Sequence, residues 1–372
     1  MTAESLLFLP GPVMVAPEVL AAQHRPLIDH RGPAFAEILH RCSTRLAPIF
    51  GTTSDVVLLG SSGTGGLEAA VANLVSPGER WLAAPVGVFG KRLAAIAQHY
   101  GAIVEELPTE PGACMNPTAF AQRLTDDRQH NIRGVLLTHN ETSTGVQNDL
   151  AALVPALREH GALSIVDSVS GLAASPMHMD AWGFDVVVSA SQKALAAPPG
   201  VAMIAVSQRA WEAMERSTSP RYYFDLRMAR EFSRKGQTPW TPPISIVYAL
   251  DASLDRYVNE GPDAFMARHV QRAALVRERL GALGFTIFSH EDAHSVTVVA
   301  ARPPSGIAAS DLVTILREEH GVVISGGQGD LVGKIVRIGT IGAFSDDQLD
   351  RALQAVATVV KQLSYGDSKI RA

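Results

Sequence analysis

The chain has 372 residues, 47% hydrophobic and 19% charged, with a formal net charge of -5. That composition is too apolar for a disordered chain, and it carries no broad basic field for nucleic acid or anionic lipid. Its 2 cysteines, Cys42 and Cys114, cannot build a disulfide framework, and no stretch has the apolar length of a membrane span.

Near the N-terminus, Pro10 and Pro12 cut the short Leu6–Leu9 apolar run and no basic flank precedes it. No signal peptide is expected, so the chain reads as cytoplasmic. Beyond that point, β-branched runs predict strands over Asp55–Leu59, Trp81–Ala84, Ile103–Leu107, Gly134–Thr138, Leu163–Asp167, Asp185–Ala190 and Val201–Val206. Between them, Leu67–Val75, Lys91–Tyr100, Pro117–Leu124 and Asp149–His160 carry apolar residues at helical spacing. Such alternation argues for a mostly parallel sheet flanked by helices, which binds ligands at the carboxyl ends of its strands.

From Thr241 the pattern changes. A helical stretch runs to Val258, and Asn259–Pro262 then stops and restarts the chain. A helix over Asp263–Leu283 follows, then strands at Phe285–Phe288 and Ser295–Ala301 and a helix over Ala309–His320. Short strands at Val322–Ser325 and Ile335–Ile338 and a terminal helix from Asp346 complete a smaller α+β unit. The expected division is therefore a large domain over 1–258 and a small one over 259–372.

Three segments carry chemistry. In Asp185–Gly200 a buried strand ends in small residues, presents Lys193 and turns at Pro198, Pro199 and Gly200. A lysine at the mouth of an apolar strand is partly desolvated, which makes its amine the nucleophile that Schiff-base chemistry needs. A snorkelling surface lysine is the other reading. In Leu163–Ser170 a strand delivers Asp167 to its carboxyl end. A buried carboxylate there would keep the ring nitrogen of a lysine-bound pyridoxal phosphate protonated; a helix cap or a core ion pair is the alternative.

The third segment, Leu59–Ala69, runs from a strand through Gly60, Ser61, Ser62, Gly63, Thr64, Gly65 and Gly66 into a helix. Free amides at such a helix start bind phosphate, although a tight turn with no ligand has the same composition. The glycine spacing is not a dinucleotide fingerprint, and no lysine follows as in a Walker loop.

Together these segments resemble the class V aminotransferases of the fold-type I pyridoxal-phosphate enzymes, most of all the alanine–glyoxylate and serine–pyruvate/glyoxylate branch. The likeness also takes in Leu9–Met14, His30–Pro33, Gly87–Arg92, Thr138–Gly145, Gln237–Pro243, Gly326–Gly329 and Val336–Gly339, so it covers nearly the whole chain. It implies a seven-stranded, mostly parallel sheet in the large domain, an N-terminal segment touching the active site, and pyridoxal 5'-phosphate as cofactor.

By the same resemblance Lys193 is the Schiff-base lysine and proton shuttle, Asp167 the pyridinium partner and Val169 the residue under the ring. Phe89 stacks on the other face. Ser62, Gly63 and Thr64 form the phosphate cup with Gln192 beside it, and Thr142 stands near the coenzyme's 3′ oxygen. Thr238 and Thr241 reach the phosphate of a neighbouring subunit, which implies a homodimer. Arg337, with the Gly11 backbone, holds the substrate carboxylate, a task that suits a planar guanidinium fork; an ordinary ion pair is the alternative for that arginine.

The implied reaction moves an amino group from a small amino acid of the alanine or serine type to a 2-oxo acid such as glyoxylate or pyruvate. Rivals with the same cofactor are 2-aminoethylphosphonate–pyruvate, ureidoglycine–glyoxylate and pyridoxamine–pyruvate transamination, the last disfavoured by the intact cup. Cysteine desulfurases share the fold but need a mobile cysteine, whereas Cys42 and Cys114 lie outside the motifs. A non-catalytic binding protein on the same scaffold is the rival of another class, and the retained Lys193 and Asp167 argue against it. His30, His139 and His178 read as scaffold, and no His/Cys spacing suggests a metal. Gly327–Lys334 lacks Walker spacing, and the arginines within Val270–Leu283 read as a solvated face.

Overall fold

The computed structural model describes residues 5–370; residues 1–4, 371 and 372, the ends of the two expected domains, lie outside the described residues. Its main sheet has seven strands, β1 (Val56–Gly60), β2 (Arg80–Ala83), β3 (Ile103–Glu106), β4 (Ile132–Thr138), β5 (Leu163–Asp167), β6 (Val186–Ala190) and β7 (Val201–Val206). Each lies within two residues of its predicted bounds. The order is β1-β7-β6-β5-β4-β2-β3, with β7 antiparallel to both neighbours and the other pairs parallel. Every residue of β5, β6 and β7 is buried, because helices cover both faces, and this explains their unbroken apolar sequences.

Helix α1 (Pro33–Phe50) was not anticipated. It opens on a proline in its first turn, ends at Gly51 in the left-handed region (φ 64), and buries Phe35, Ile38, Leu39, Cys42, Leu46, Ile49 and Phe50. Helix α2 (Gly63–Leu74) is built largely of glycine and alanine because it packs tightly on the sheet: a Cβ at Gly66 would lie 2.8 Å from the Ala202 side chain. Helix α3 (Val88–His99) starts three residues before the apolar pattern that predicts it. The predicted Asp149–His160 helix is a 3-10 turn at Ala151–Leu153 running into an α-helix at Val154–His160.

Helices α4 (Ile244–Glu260) and α5 (Pro262–Ala282) lead to a second sheet of β8 (Thr286–Ile287), β9 (Val298–Arg302), β10 (Ser325–Gly326) and β11 (Val336–Gly339), ordered β8-β9-β11-β10 and antiparallel. The expected Val322–Ser325 strand divides, since Val322 and Val323 pair in parallel with Leu6 and Leu7 while Ser325 joins β10. Phe8 then packs on Phe344 with ring centroids 4.8 Å apart. The N-terminal segment is thus anchored in the second sheet layer before it crosses to the carboxyl ends of the main sheet.

One expectation fails in α5. Arg272 is only 6% exposed, donating to the Phe344 carbonyl and to Asp346, so this arginine belongs to the core, whereas Arg279 stays on the solvated face.

Candidate active site

Asp167 closes β5 at the centre of the sheet, paired in register with Thr138 on β4 and Val188 on β6. Its side chain is buried and accepts a 2.9 Å hydrogen bond from the Val169 amide. Burial raises its carboxyl to about 7, against the Val169 hydrogen bond and the charges of Lys193 and Arg92, with Glu141 adding to the rise.

Lys193 lies in the turn after β6, and its Nζ donates to the Pro10 carbonyl at 2.8 Å. Burial lowers this ammonium to about 8; Asp167 opposes the shift, while Arg337 and Arg92 add to it. The neighbouring Gly11 has φ 119, and a Cβ there would sit 2.6 Å from Nζ, so only glycine lets the N-terminal segment pass this close. Beside it, Gln192 has a buried Oε1 with no hydrogen-bond partner.

The glycine-rich turn leaves β1 at Gly60 and caps α2 with Ser62, whose Oγ accepts from the Gly65 amide at 3.2 Å. Gly63 and Thr64 occupy the first helical positions, where amides have no intrahelical acceptor, and neither has another acceptor among the described residues. A Cβ on Gly63 would lie 2.9 Å from a Val169 methyl, so Val169 is packed against the cup.

Phe89 enters from the first turn of α3. That helix start is held by Glu141, fully buried, which accepts from the Phe89 amide at 3.1 Å and the Gly90 amide at 3.0 Å. One turn on, the Arg92 guanidinium stands 4.7 Å from the centre of the Phe89 ring, with Nη1 3.4 Å from Thr64 Oγ1. Sequence reasoning named neither Glu141 nor Arg92. The three-residue spacing of Phe89 and Arg92 could have flagged the arginine, because such residues share a helix face; Glu141 has no comparable signal.

Thr142 is buried, with its hydroxyl donating to Ser170 Oγ at 2.8 Å and its carbonyl accepting from Arg337 at 3.2 Å. Arg337 is 4% exposed on β11, with Nε donating to the Gly326 carbonyl at 2.8 Å and Nη1 also to Gln328 Oε1 at 3.3 Å. It has no ion-pair partner among the described residues, and Nη2 makes no hydrogen bond there. Burial lowers its pKa, opposed by Glu141. A buried guanidinium held by neutral acceptors is not half of a surface pair, and its charge is left available to an external anion. Beside it opens a cavity of about 610 Å³, whose wall includes Val88, Ser143, Phe288 and Gln328.

Two expected residues stand apart from this cluster. Thr238 donates to the Trp240 carbonyl at 2.7 Å, Thr241 is exposed, and neither hydrogen-bonds to Ser62, Gly63 or Thr64 of its own chain. His139 is buried beside Ser168 Oγ at 2.9 Å, and burial lowers it to about 4, so it is neutral scaffold. The Cys42 thiol is buried next to Asp251, and burial pushes its pKa well above the usual range. Cys114 is also raised by burial, and neither cysteine joins the cluster. Among the described residues no group of three or more His, Cys, Asp or Glu is placed to hold a metal.

Comparison with known proteins gives the chain's family. Residues 17–339 match the family model described as aminotransferase class-V. The L-aspartate–glyoxylate aminotransferase of Paracoccus denitrificans is 38% identical, covering 96% of this chain and 91% of that protein. A serine–glyoxylate aminotransferase of Arabidopsis thaliana is 33% identical over 96% of this chain and 91% of its own. The crystal structure of an alanine–glyoxylate aminotransferase from Nostoc sp. superposes with a TM-score of 0.92 at 29% identity, covering 97% of this chain and 96% of that one.

Proposed function

The chain belongs to the class V aminotransferases, pyridoxal-phosphate enzymes of fold-type I, and from that premise we propose that it moves the amino group of a small amino acid of the alanine or serine type to glyoxylate or pyruvate. One observation carries the reading: the buried amine of Lys193 lies within the electrostatic reach of both the buried Asp167 and a buried Arg337 that has no ion-pair partner among the described residues. Glyoxylate is the favoured acceptor, since the three relatives are all named for it while their donors differ.

The residues present fit the coenzyme. The orphaned Gln192 Oε1, the free Gly63 and Thr64 amides and the close backbone passage at Gly11 are all features a bound phosphopyridine would use. When bound, pyridoxal phosphate supplies the electron sink for the carbanion left by α-proton removal.

Around it, Asp167 would hold the proton at the ring nitrogen, its carboxylate form favoured once a cation faces it. Val169 and Phe89 would confine the ring between them. Ser62, Gly63, Thr64 and Gln192 would bind the phosphate, and Thr142 the 3′ oxygen. Lys193 would hold the coenzyme through its Nζ, and as a free amine, with burial lowering its pKa, it would take and return the α-proton. Arg337 would fix the substrate carboxylate, assisted by the Gly11 backbone, so that the α C–H bond points at that amine.

Residues 1–258 and 259–372 are read as the large and small domains, meeting at this cleft. A homodimer is part of the proposal, with Thr238 and Thr241 reaching the partner's phosphate. Its support is an exposed aromatic patch beside that loop, where Tyr222 is 73% and Tyr223 45% exposed and Tyr223 stacks on Trp240, which lies between Thr238 and Thr241. A cytoplasmic location rests on composition; among the described residues no helix is long and apolar enough to cross a membrane.

The test is the visible absorbance of the purified protein before and after adding alanine, serine, aspartate or 2-aminoethylphosphonate. A coenzyme band bleached by alanine or serine and restored by glyoxylate supports the reading. Bleaching by 2-aminoethylphosphonate alone assigns a different donor, and a protein that stays colourless with added coenzyme overturns it.

A further inference from the structure

Arg92 is a cation without an anion. It projects from the second turn of α3 back over the helix start, as helical side chains do, and rests its guanidinium on the Phe89 ring. Among the described residues it has no ion-pair partner; its one polar contact is Nη1 to Thr64 Oγ1, long at 3.4 Å. The adjacent Lys91 diverges, lining the cavity of about 610 Å³ instead. Arg92 is solvent-exposed, and its charge still reaches both Asp167 and Lys193.

The cup itself lacks a countercharge. The start of α2 offers amides, hydroxyls and the equivalent of roughly half a positive charge, whereas a phosphate dianion brings about two negative ones. No residue from Ser61 to Leu67 is basic.

We propose that Arg92 is the cationic partner of the coenzyme phosphate, closing the Ser62–Thr64 cup from the side of α3 while its flat face stays on Phe89. This rests on the reading of Ser62, Gly63 and Thr64 as the phosphate site. Thr64 marks where the guanidinium reaches. The substrate carboxylate, by contrast, belongs at Arg337 beside Thr142, so Arg92 serves the coenzyme and not the substrate. The fork and the ring below it need a planar group, which lysine cannot supply.

The experiment titrates coenzyme-free protein with pyridoxal phosphate and with pyridoxal, which lacks the phosphate, in the wild type, Arg92→Gln, Arg92→Lys and the Ser62→Ala/Thr64→Ala double variant. Phosphorus NMR of the bound coenzyme provides a second readout. The expected result is that Arg92→Gln weakens pyridoxal phosphate about tenfold to a hundredfold. Its affinity for pyridoxal stays as in wild type, Arg92→Lys falls between, and the phosphorus signal of the glutamine variant becomes more pH-dependent.

Equal losses for both ligands in Arg92→Gln would show that the arginine only supports Phe89, and would overturn the proposal. Wild-type affinity in Arg92→Gln with a loss in the double variant would overturn it while leaving the cup standing. A wild type that binds both ligands equally would remove the cup, and the proposal with it.

Discussion

Lys193 is tied to Pro10: its Nζ donates to the Pro10 carbonyl across 2.8 Å, joining positions 183 residues apart in the chain. The strap that carries Pro10 is itself pinned: Leu6 and Leu7 pair with Val322 and Val323 in a separate two-stranded sheet, and the Phe8 carbonyl accepts from the Gly339 amide of β11 at 2.7 Å. The position of the reactive amine therefore depends on both sheet layers.

Gly11→Ala should break that arrangement. The new methyl would lie 2.6 Å from Nζ on a backbone at φ 119, so the lysine or the strap must move. A drop in kcat of at least about tenfold is expected, since small misplacements at a reacting group carry large rate penalties. Steady-state kinetics beside a circular dichroism spectrum would check it; a correctly folded variant with wild-type kcat would contradict it.

For Arg337→Lys the charge survives but the fork does not. Apparent KM for both the amino acid and the 2-oxo acid should rise about tenfold or more, the loss expected for a charge-assisted bidentate contact. Amines without a carboxylate should react no worse than in wild type. An unchanged KM for the carboxylate substrates would take Arg337 out of the substrate site.

Asp167→Asn separates chemistry from stability. Turnover should fall by orders of magnitude, because an amide cannot hold the ring proton. In coenzyme-free protein, however, the native carboxyl at about 7 binds its proton more tightly than the unfolded one at 3.8, so wild-type stability falls as pH rises between them. The asparagine variant escapes that penalty. Its stability advantage should grow from pH 4 to 7, reaching at most ~4 kcal/mol at 1.36 kcal/mol per pH unit. Denaturant melts at several pH values measure this, and an advantage independent of pH would refute the cause assigned to the shift.

Glu141→Gln probes the residue that carries Phe89. The Phe89, Gly90 and Ser143 amides would lose a carboxylate acceptor in a fully buried place. A stability loss of about 1–3 kcal/mol is expected, with weaker coenzyme binding as the aromatic shifts. Thermal melts and coenzyme titration would register both, and a variant unchanged in each would show that Glu141 positions nothing.

The strands were legible because runs such as Val186–Val188 and Val201–Val206 are buried on both faces and carry no competing pattern. Their order was not, since β7 inserts between β1 and β6 through contacts that no local signal encodes. Helix α1 was missed although Phe35, Ile38, Leu39 and Cys42 keep helical spacing; Pro48 near its end obscures the pattern. In the site, Lys193, Asp167 and the glycine-rich turn stand at strand ends, where both physics and resemblance point. Arg92 is marked only by its three-residue spacing from Phe89, and Glu141 by nothing local. Their importance comes from the guanidinium brought against Phe89 and Thr64 and from the amides converging on the buried carboxylate, both of which exist only once the chain has folded.

The most direct test of the account is to reduce the coenzyme-loaded enzyme with borohydride, digest it and map the modified peptide by mass spectrometry. The account predicts one phosphopyridoxyl group on Lys193, lost in Lys193→Ala together with turnover. Attachment at Lys91, Lys235 or Lys334 instead, or a Lys193→Ala variant that still turns over at the wild-type rate, would contradict it.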